Sequence, residues 1–221
     1  MRLNIGIKDI LQCLRYVVAL MIYAVAINAA TNTNLGLGPW EVFSMGLSKH
    51  LPLTFGQCVI TVSVIIVIID IVMKEKIGIG MILDAFLVGT FIDICMALDF
   101  VPHFTDSSLA VKILAYLITI PMMSLATYLT MSACQGMGPR DTLVVALGRR
   151  VRRIPIGVVM NAMLVAVTLI GWYLGGPVGI GTLISAFGIG ATLQFWCAFF
   201  HFEPRDVEHK SLADYVRRPN M

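Results

Sequence analysis

Six stretches of this 221-residue chain are long and apolar enough to cross a lipid bilayer, at roughly 11–30, 56–73, 79–98, 109–133, 156–174 and 180–200. The hydrocarbon core of a bilayer is about 30 Å thick, so a crossing helix needs about 20 predominantly apolar residues. Six such segments leave little chain for anything outside the membrane. Composition agrees: 58% of residues are hydrophobic and 13% charged, against about 45–50% and 25% in soluble domains. The N-terminal apolar run continues to Val25. That exceeds the ~7–15 residues of a cleaved signal's apolar region, so it is expected to be a retained first span.

Two shorter helical stretches, at about 39–48 and 139–148, each follow a Gly-x-Gly-Pro. At ~10 residues, such helices reach only about halfway across the core. Charge tests this count through the enrichment of Lys and Arg on the cytoplasmic side. With the N-terminus inside, Arg2, Lys8, Lys74, Lys76, Arg149, Arg150, Arg152, Arg153, Arg205, Lys210, Arg217 and Arg218 all fall inside, and only Lys49 falls outside. Treating the short helices as full spans would move Lys74 and Lys76 outside.

The chain also repeats itself. Gly36-Leu37-Gly38-Pro39-Trp40-Glu41 matches Gly136-Met137-Gly138-Pro139-Arg140-Asp141 at an offset of 100 residues. After one inserted residue the offset is 101, pairing Gly56 with Gly157, Gly78-Ile79-Gly80 with Gly179-Ile180-Gly181, and Gly89 with Gly190. Tyr16 pairs with Tyr116 ahead of the motifs. Each copy then holds three full spans and one half-helix. Three is odd, so the second copy enters from the opposite side, an inverted-topology repeat of the kind many transporters use. The expected fold is an all-α polytopic membrane protein in one membrane domain. It has six transmembrane helices, two re-entrant half-helices, repeats over 10–100 and 109–200, and a cytoplasmic tail from 203 to 221.

Glycine ahead of each half-helix permits tight turns and close approach, and Pro39 and Pro139 suit a first helical turn, where the missing N–H would be unpaired. Each start exposes free N–H groups and about half a positive charge. Irregular backbone at that depth survives only where protein or a wet cavity covers it, so the two starts should meet near the midplane. The candidate solute-binding residues are therefore Gly36, Gly38, Pro39, Trp40, Glu41, Gly136, Gly138, Pro139, Arg140 and Asp141. Glu41 and Asp141 are either acids that cap the helix dipole or members of a proton or cation site. Arg140 could pair with the adjacent Asp141 or bind an anion, while Trp40 in the matched place would give the cavity an aromatic wall opposite a cationic one.

Asp84 and Asp93 lie in the third span, where charge is costly, and are further candidates for an ion or proton site. Nine residues apart, they cannot face one direction. Asp70 is expected to pair with Lys74 four residues on, Arg15 to reach for the membrane surface, and Asn161 to hydrogen-bond a neighbouring helix. Five cysteines without CxxC spacing read as packing residues. Metal-ligand clusters, nucleophile motifs and phosphate-binding loops are absent from the sequence, so neither a metal, a cofactor nor an enzymatic activity is expected. The slight net charge of +3 gives no reason to expect nucleic acid.

The doubled motif, each copy followed about 40 residues later by Gly-Ile-Gly, resembles that of the YczE/YitT-like bacterial membrane proteins, most closely the YczE branch, over roughly residues 10–200. The family pattern has Asp at the second position after each proline, from which Glu41 departs conservatively. The resemblance implies a multi-pass bacterial plasma-membrane protein of transporter-like character and no particular substrate. The expected function is a secondary transporter or exporter of a small polar or anionic solute, with both termini cytoplasmic. The alternatives are a passive channel of aquaporin-like half-helix design and a non-catalytic membrane factor serving a biosynthetic or secretion partner. The expected partners are the lipid bilayer and the solute, with a second copy of the chain as a further one.

Overall fold

The computed structural model describes residues 7–133, 136–151 and 154–202. Cys134, Arg152, Arg153 and the expected tail over 203–221 lie outside the described residues. Eight helices follow in order: α1 (Ile7–Thr33), α2 (Pro39–Ser48), α3 (Phe55–Val72), α4 (Ile79–Leu98), α5 (Leu109–Ser132), α6 (Pro139–Arg150), α7 (Ile156–Tyr173) and α8 (Ile180–Phe199). No strand occurs among the described residues. Six helices, all but α2 and α6, are long and apolar enough to cross a membrane. They carry large apolar side chains on their outer faces, among them Ile65, Ile68, Leu117, Ile118, Val165 and Leu169, which lipid can cover at no cost.

Local chemistry sets the ends. Thr54 and Gln57 form a reciprocal capping box at the start of α3, and Ser108 caps α5, each satisfying amides that have no intrahelical partner. The starts of α2 and α6 are alike: N-cap Gly38 has φ −63° and ψ 160°, N-cap Gly138 has φ −62° and ψ 161°, and a proline follows each. Two residues earlier, Gly36 and Gly136 take φ +105° and +110°, a region other residues rarely enter.

The centre of the bundle is α1 against α5, flanked by α4 and α8. Lipid tails are as apolar as leucine, so helices in a membrane gain most by close packing of small residues. Ala19, Ala24, Ala26 and Ala30 of α1 are fully buried there, alongside Tyr16, Ile27, Tyr116 and Ile120. The short helices pack on the longer helices of the other half of the chain, α2 on α7 and α6 on α3. Both ends of α2 fasten to one connection: the Leu37 amide donates to the Pro177 carbonyl (3.1 Å), and Lys49 Nζ donates to the Gly175 carbonyl (2.5 Å). Lys49, a basic residue out of place in the charge pattern, is thus held by a carbonyl. Its counterpart Arg149, at the end of α6, donates to Glu75 at 3.0 Å.

Candidate functional site

Arg140 Nη1, in the first turn of α6, donates to Glu41 Oε1, in the first turn of α2, at 2.9 Å. The two side chains are 18% and 8% exposed, which makes this a buried pair. Neighbours on a helix point about 100° apart, so Arg140 faces across to the other short helix and not to Asp141. The guanidinium carbon also lies 5.3 Å from the centre of the Trp40 ring. Aromatic and cation therefore stack on each other, where the sequence suggested opposing walls.

The surroundings of the pair repeat. A Cβ placed on Gly138 would lie 3.1 Å from Asp84 Oδ2 and 3.9 Å from Asp141 Oδ2; one on Gly38 would lie 2.5 Å from Glu41 Oε2 and 3.8 Å from Ser185 Oγ. Ser185 stands 101 residues after Asp84, so each short helix start has its own acid and a polar residue from a long helix at the matched place. Tyr16 lies within electrostatic reach of Asp84 and Asp141. Its counterpart Tyr116 is fully buried beside Ser185, its hydroxyl without a hydrogen bond of normal geometry. The two tyrosines and Ser185 complete a cluster that sequence alone marked only through the repeat.

The two halves differ in access. Glu41 is 6% exposed, whereas Asp141 has exposed surface. The amides of Trp40 and Glu41 precede the first bond of α2, from Val42 to Gly38, and those of Arg140 and Asp141 precede the bond from Thr142 to Gly138. These ends supply the partial positive charge that favours carboxylates there.

Asp93 lies apart from this cluster. Its Oδ1 accepts from the Gly56 amide at 2.8 Å and its Oδ2 from the Thr54 hydroxyl, so it caps α3. Asp70 makes no ion pair with Lys74. Its side chain is fully buried and neither oxygen has a hydrogen-bond partner among the described residues. Lys74 lies past the end of α3 with φ +61°, so the four-residue spacing no longer places the two on one helix face. Arg15 sits with its guanidinium 5.8 Å from the Tyr128 ring centre. Asn161 is exposed on α7, and among the described residues its side chain has no hydrogen-bond partner. Among the described residues no three His, Cys, Asp or Glu are arranged to hold a metal ion.

Six apolar spans around a buried charged cluster define a polytopic α-helical membrane protein. The chain belongs to the family of unknown function DUF6198, whose profile matches residues 10–198. It is similar to an uncharacterized protein of Haemophilus influenzae, 29% identical over 178 residues, covering 80% of this chain and 79% of the relative. It is also similar to the uncharacterized membrane protein YczE of Bacillus subtilis, 29% identical with 73% of each chain covered. A third relative is the uncharacterized protein YyaS of Bacillus subtilis, 26% identical over 77% of this chain and 84% of that one. No solved structure matches.

Proposed function

We propose that this chain is a non-enzymatic secondary transporter of a small polar solute in the bacterial plasma membrane, with protons balancing charge at a site between the starts of α2 and α6. The observation that carries this reading is the Glu41–Arg140 pair joining two proline-led helix starts, with Asp84 and Asp141 beside it. With all three acids ionised, only one guanidinium and about half a positive charge from each helix start would face them. About one negative charge is then unbalanced, which a proton or a cationic group of the solute can supply. Arg140 is occupied by Glu41, which favours a neutral or cationic solute over an anionic one.

The reading treats α2 and α6 as re-entrant half-helices of an inverted repeat. Attachment of both ends of α2 to residues 174–181 supports the first point, and the matched cap geometry of Gly38 and Gly138 supports the second. A transporter is favoured over a channel because the buried ion pair bridges the two helix starts and the two acids differ in exposure, whereas a channel needs a continuous wet path.

In a cysteine-free background, single cysteines near Lys74 and Arg150 should label from the cytoplasm and those near Asp106 and Gly176 from outside. Lys74 and Asp106 on the same side would sink the six-span topology. The function is tested by counterflow of a panel of small metabolites into liposomes holding purified protein, with and without a pH gradient. Asp141→Asn should abolish pH-driven uptake and leave solute exchange intact. Full transport with unchanged pH dependence in both Glu41→Gln and Asp141→Asn would show that the two acids are helix caps only.

A further inference from the structure

One seam of the bundle is shut and its repeat counterpart is open. In the first half, α3 packs along α4. A Cβ on Gly56 would overlap the Gly89 carbonyl oxygen, and one on Gly89 would overlap that of Gly56 and lie 2.6 Å from Ile60. The Thr54 hydroxyl and the Gly56 amide both donate to Asp93 across this seam. In the second half, α7 and α8 run apart. Among the described residues, no atom beyond the glycine's own stretch of helix lies within 4 Å of a Cβ built on Gly157 or Gly190, the counterparts of Gly56 and Gly89. The counterparts of Ile60 and Asp93 are Asn161 and Gln194, both exposed and without a hydrogen-bond partner among the described residues.

Unsatisfied amides facing hydrocarbon are costly, so two polar side chains on this face mark it as wetted or transiently covered by protein. A glycine pair with no neighbour has no packing role in the state observed. Its counterpart shows the role such a pair serves, backbone-to-backbone contact of two helices. The two seams also sit at opposite ends of the bundle. Lys49 and His50, at the end of α2, bond to Gly175 and Leu174 at the end of α7, and α2 leads within a few residues into the start of α3. The start of α3 thus shares an end with the finish of α7, which puts the Gly157 seam at the other end. Exposure of the acids follows the same division, with Glu41 sealed and Asp141 open.

We infer that the chain has a second state in which α7 and α8 close over Gly157 and Gly190 while α3 and α4 part at Gly56 and Gly89, breaking the Thr54–Asp93 bond. The two seams are alternating gates on either side of the Glu41–Arg140 cluster. This rests on the transport reading for its purpose but not for its geometry, since the motion is measurable with no solute identified.

The test uses the full chain, free of native cysteines, in liposomes, with two engineered pairs: Thr54→Cys with Asp93→Cys, and Gly157→Cys with Gln194→Cys. Copper phenanthroline should form an intrachain disulfide in each pair. The second pair is not in contact in the present structure, where no neighbouring atom among the described residues lies within 4 Å of the Gly157 Cβ position. Locking the first pair beforehand should slow the second by about tenfold or more, as expected when two bridges trap opposite states of one equilibrium. Gly190→Leu, which adds bulk in open space, should hold the second seam apart and speed bridging of the first. Four results would overturn the inference: disulfides at the second pair only between chains, none at all, a second bridge forming at an undiminished rate in chains already locked at the first, or no effect of Gly190→Leu on the first pair. If the bridges alternate as expected but no solute moves in counterflow, the gates stand and the transport reading falls.

Discussion

Arg140→Met is expected to cost about 3–5 kcal/mol of stability, the range for removing one partner of a buried ion pair and stranding the other. Glu41, a buried residue, would be left with no guanidinium to meet its carboxylate. Glu41→Gln should cost less, because Asp84 and Asp141 still face the Arg140 guanidinium when Glu41 is neutral. The double variant should regain most of the loss, since replacing both partners of a buried pair is often close to neutral. Arg140→Lys should not rescue, because lysine loses the planar stack on Trp40 as well as the forked geometry. Unfolding of the purified protein in detergent, followed through tryptophan fluorescence, measures all four. Asp141→Asn belongs in the same series, and its cost should be far smaller because Asp141 has exposed surface. A large loss at Asp141 with none at Glu41 would move the ion pair back to sequence neighbours and undo the site.

Gly36→Ala is expected to be nearly as damaging, at about 3 kcal/mol or more, because two costs coincide. The residue holds φ +105°, where a side chain adds roughly 1–3 kcal/mol of strain. The new methyl would also stand 2.6 Å from the Gly179 nitrogen and 2.8 Å from Thr182 Oγ1, and overpacking of that kind costs about 1–3 kcal/mol. Gly157→Ala and Gly190→Ala are the controls. Both glycines lie in helices with open space around them, so alanine should be neutral or improve stability by up to about 1 kcal/mol. Folded yield after detergent extraction and thermal midpoint would report the difference, and equal behaviour of Gly36→Ala and Gly190→Ala would be the contrary result.

The span boundaries were legible in the sequence because hydropathy sets helix length and Gly-x-Gly-Pro sets a helix start. The expected short helix at 39–48 is Pro39–Ser48, and the expected third span at 79–98 is Ile79–Leu98. The members of the central cluster were legible for the same reason, as the repeat pointed to Glu41, Arg140 and Asp141 together. Their pairing was not, since residues adjacent on a helix diverge, and only the meeting of two helices fixes whom Arg140 faces. Asp70 was misread because the helix ends before Lys74. Asn161 was misread because a polar residue in a span suggests a partner, and the helix that would provide one stands away.

The Asp93 latch has no double in the second half, where Pro155 and Gln194 occupy the matched positions of Thr54 and Asp93. Pro155 has no side-chain cap to offer and no N–H to donate. If the two seams are alternating gates as proposed, the empty protein would rest mostly with the latched end shut. Hydrogen bonds to a charged group contribute about 1.5–3 kcal/mol, a bias of roughly ten- to a hundredfold in resting population. On the proposed transport reading, a solute arriving at the latched face would meet a receptive molecule that much less often, and its apparent affinity would fall by the same factor. The protein would then act as a rectifier: half-saturation measured from the two faces of the membrane would differ by one to two orders of magnitude, and Asp93→Asn would bring the two values together.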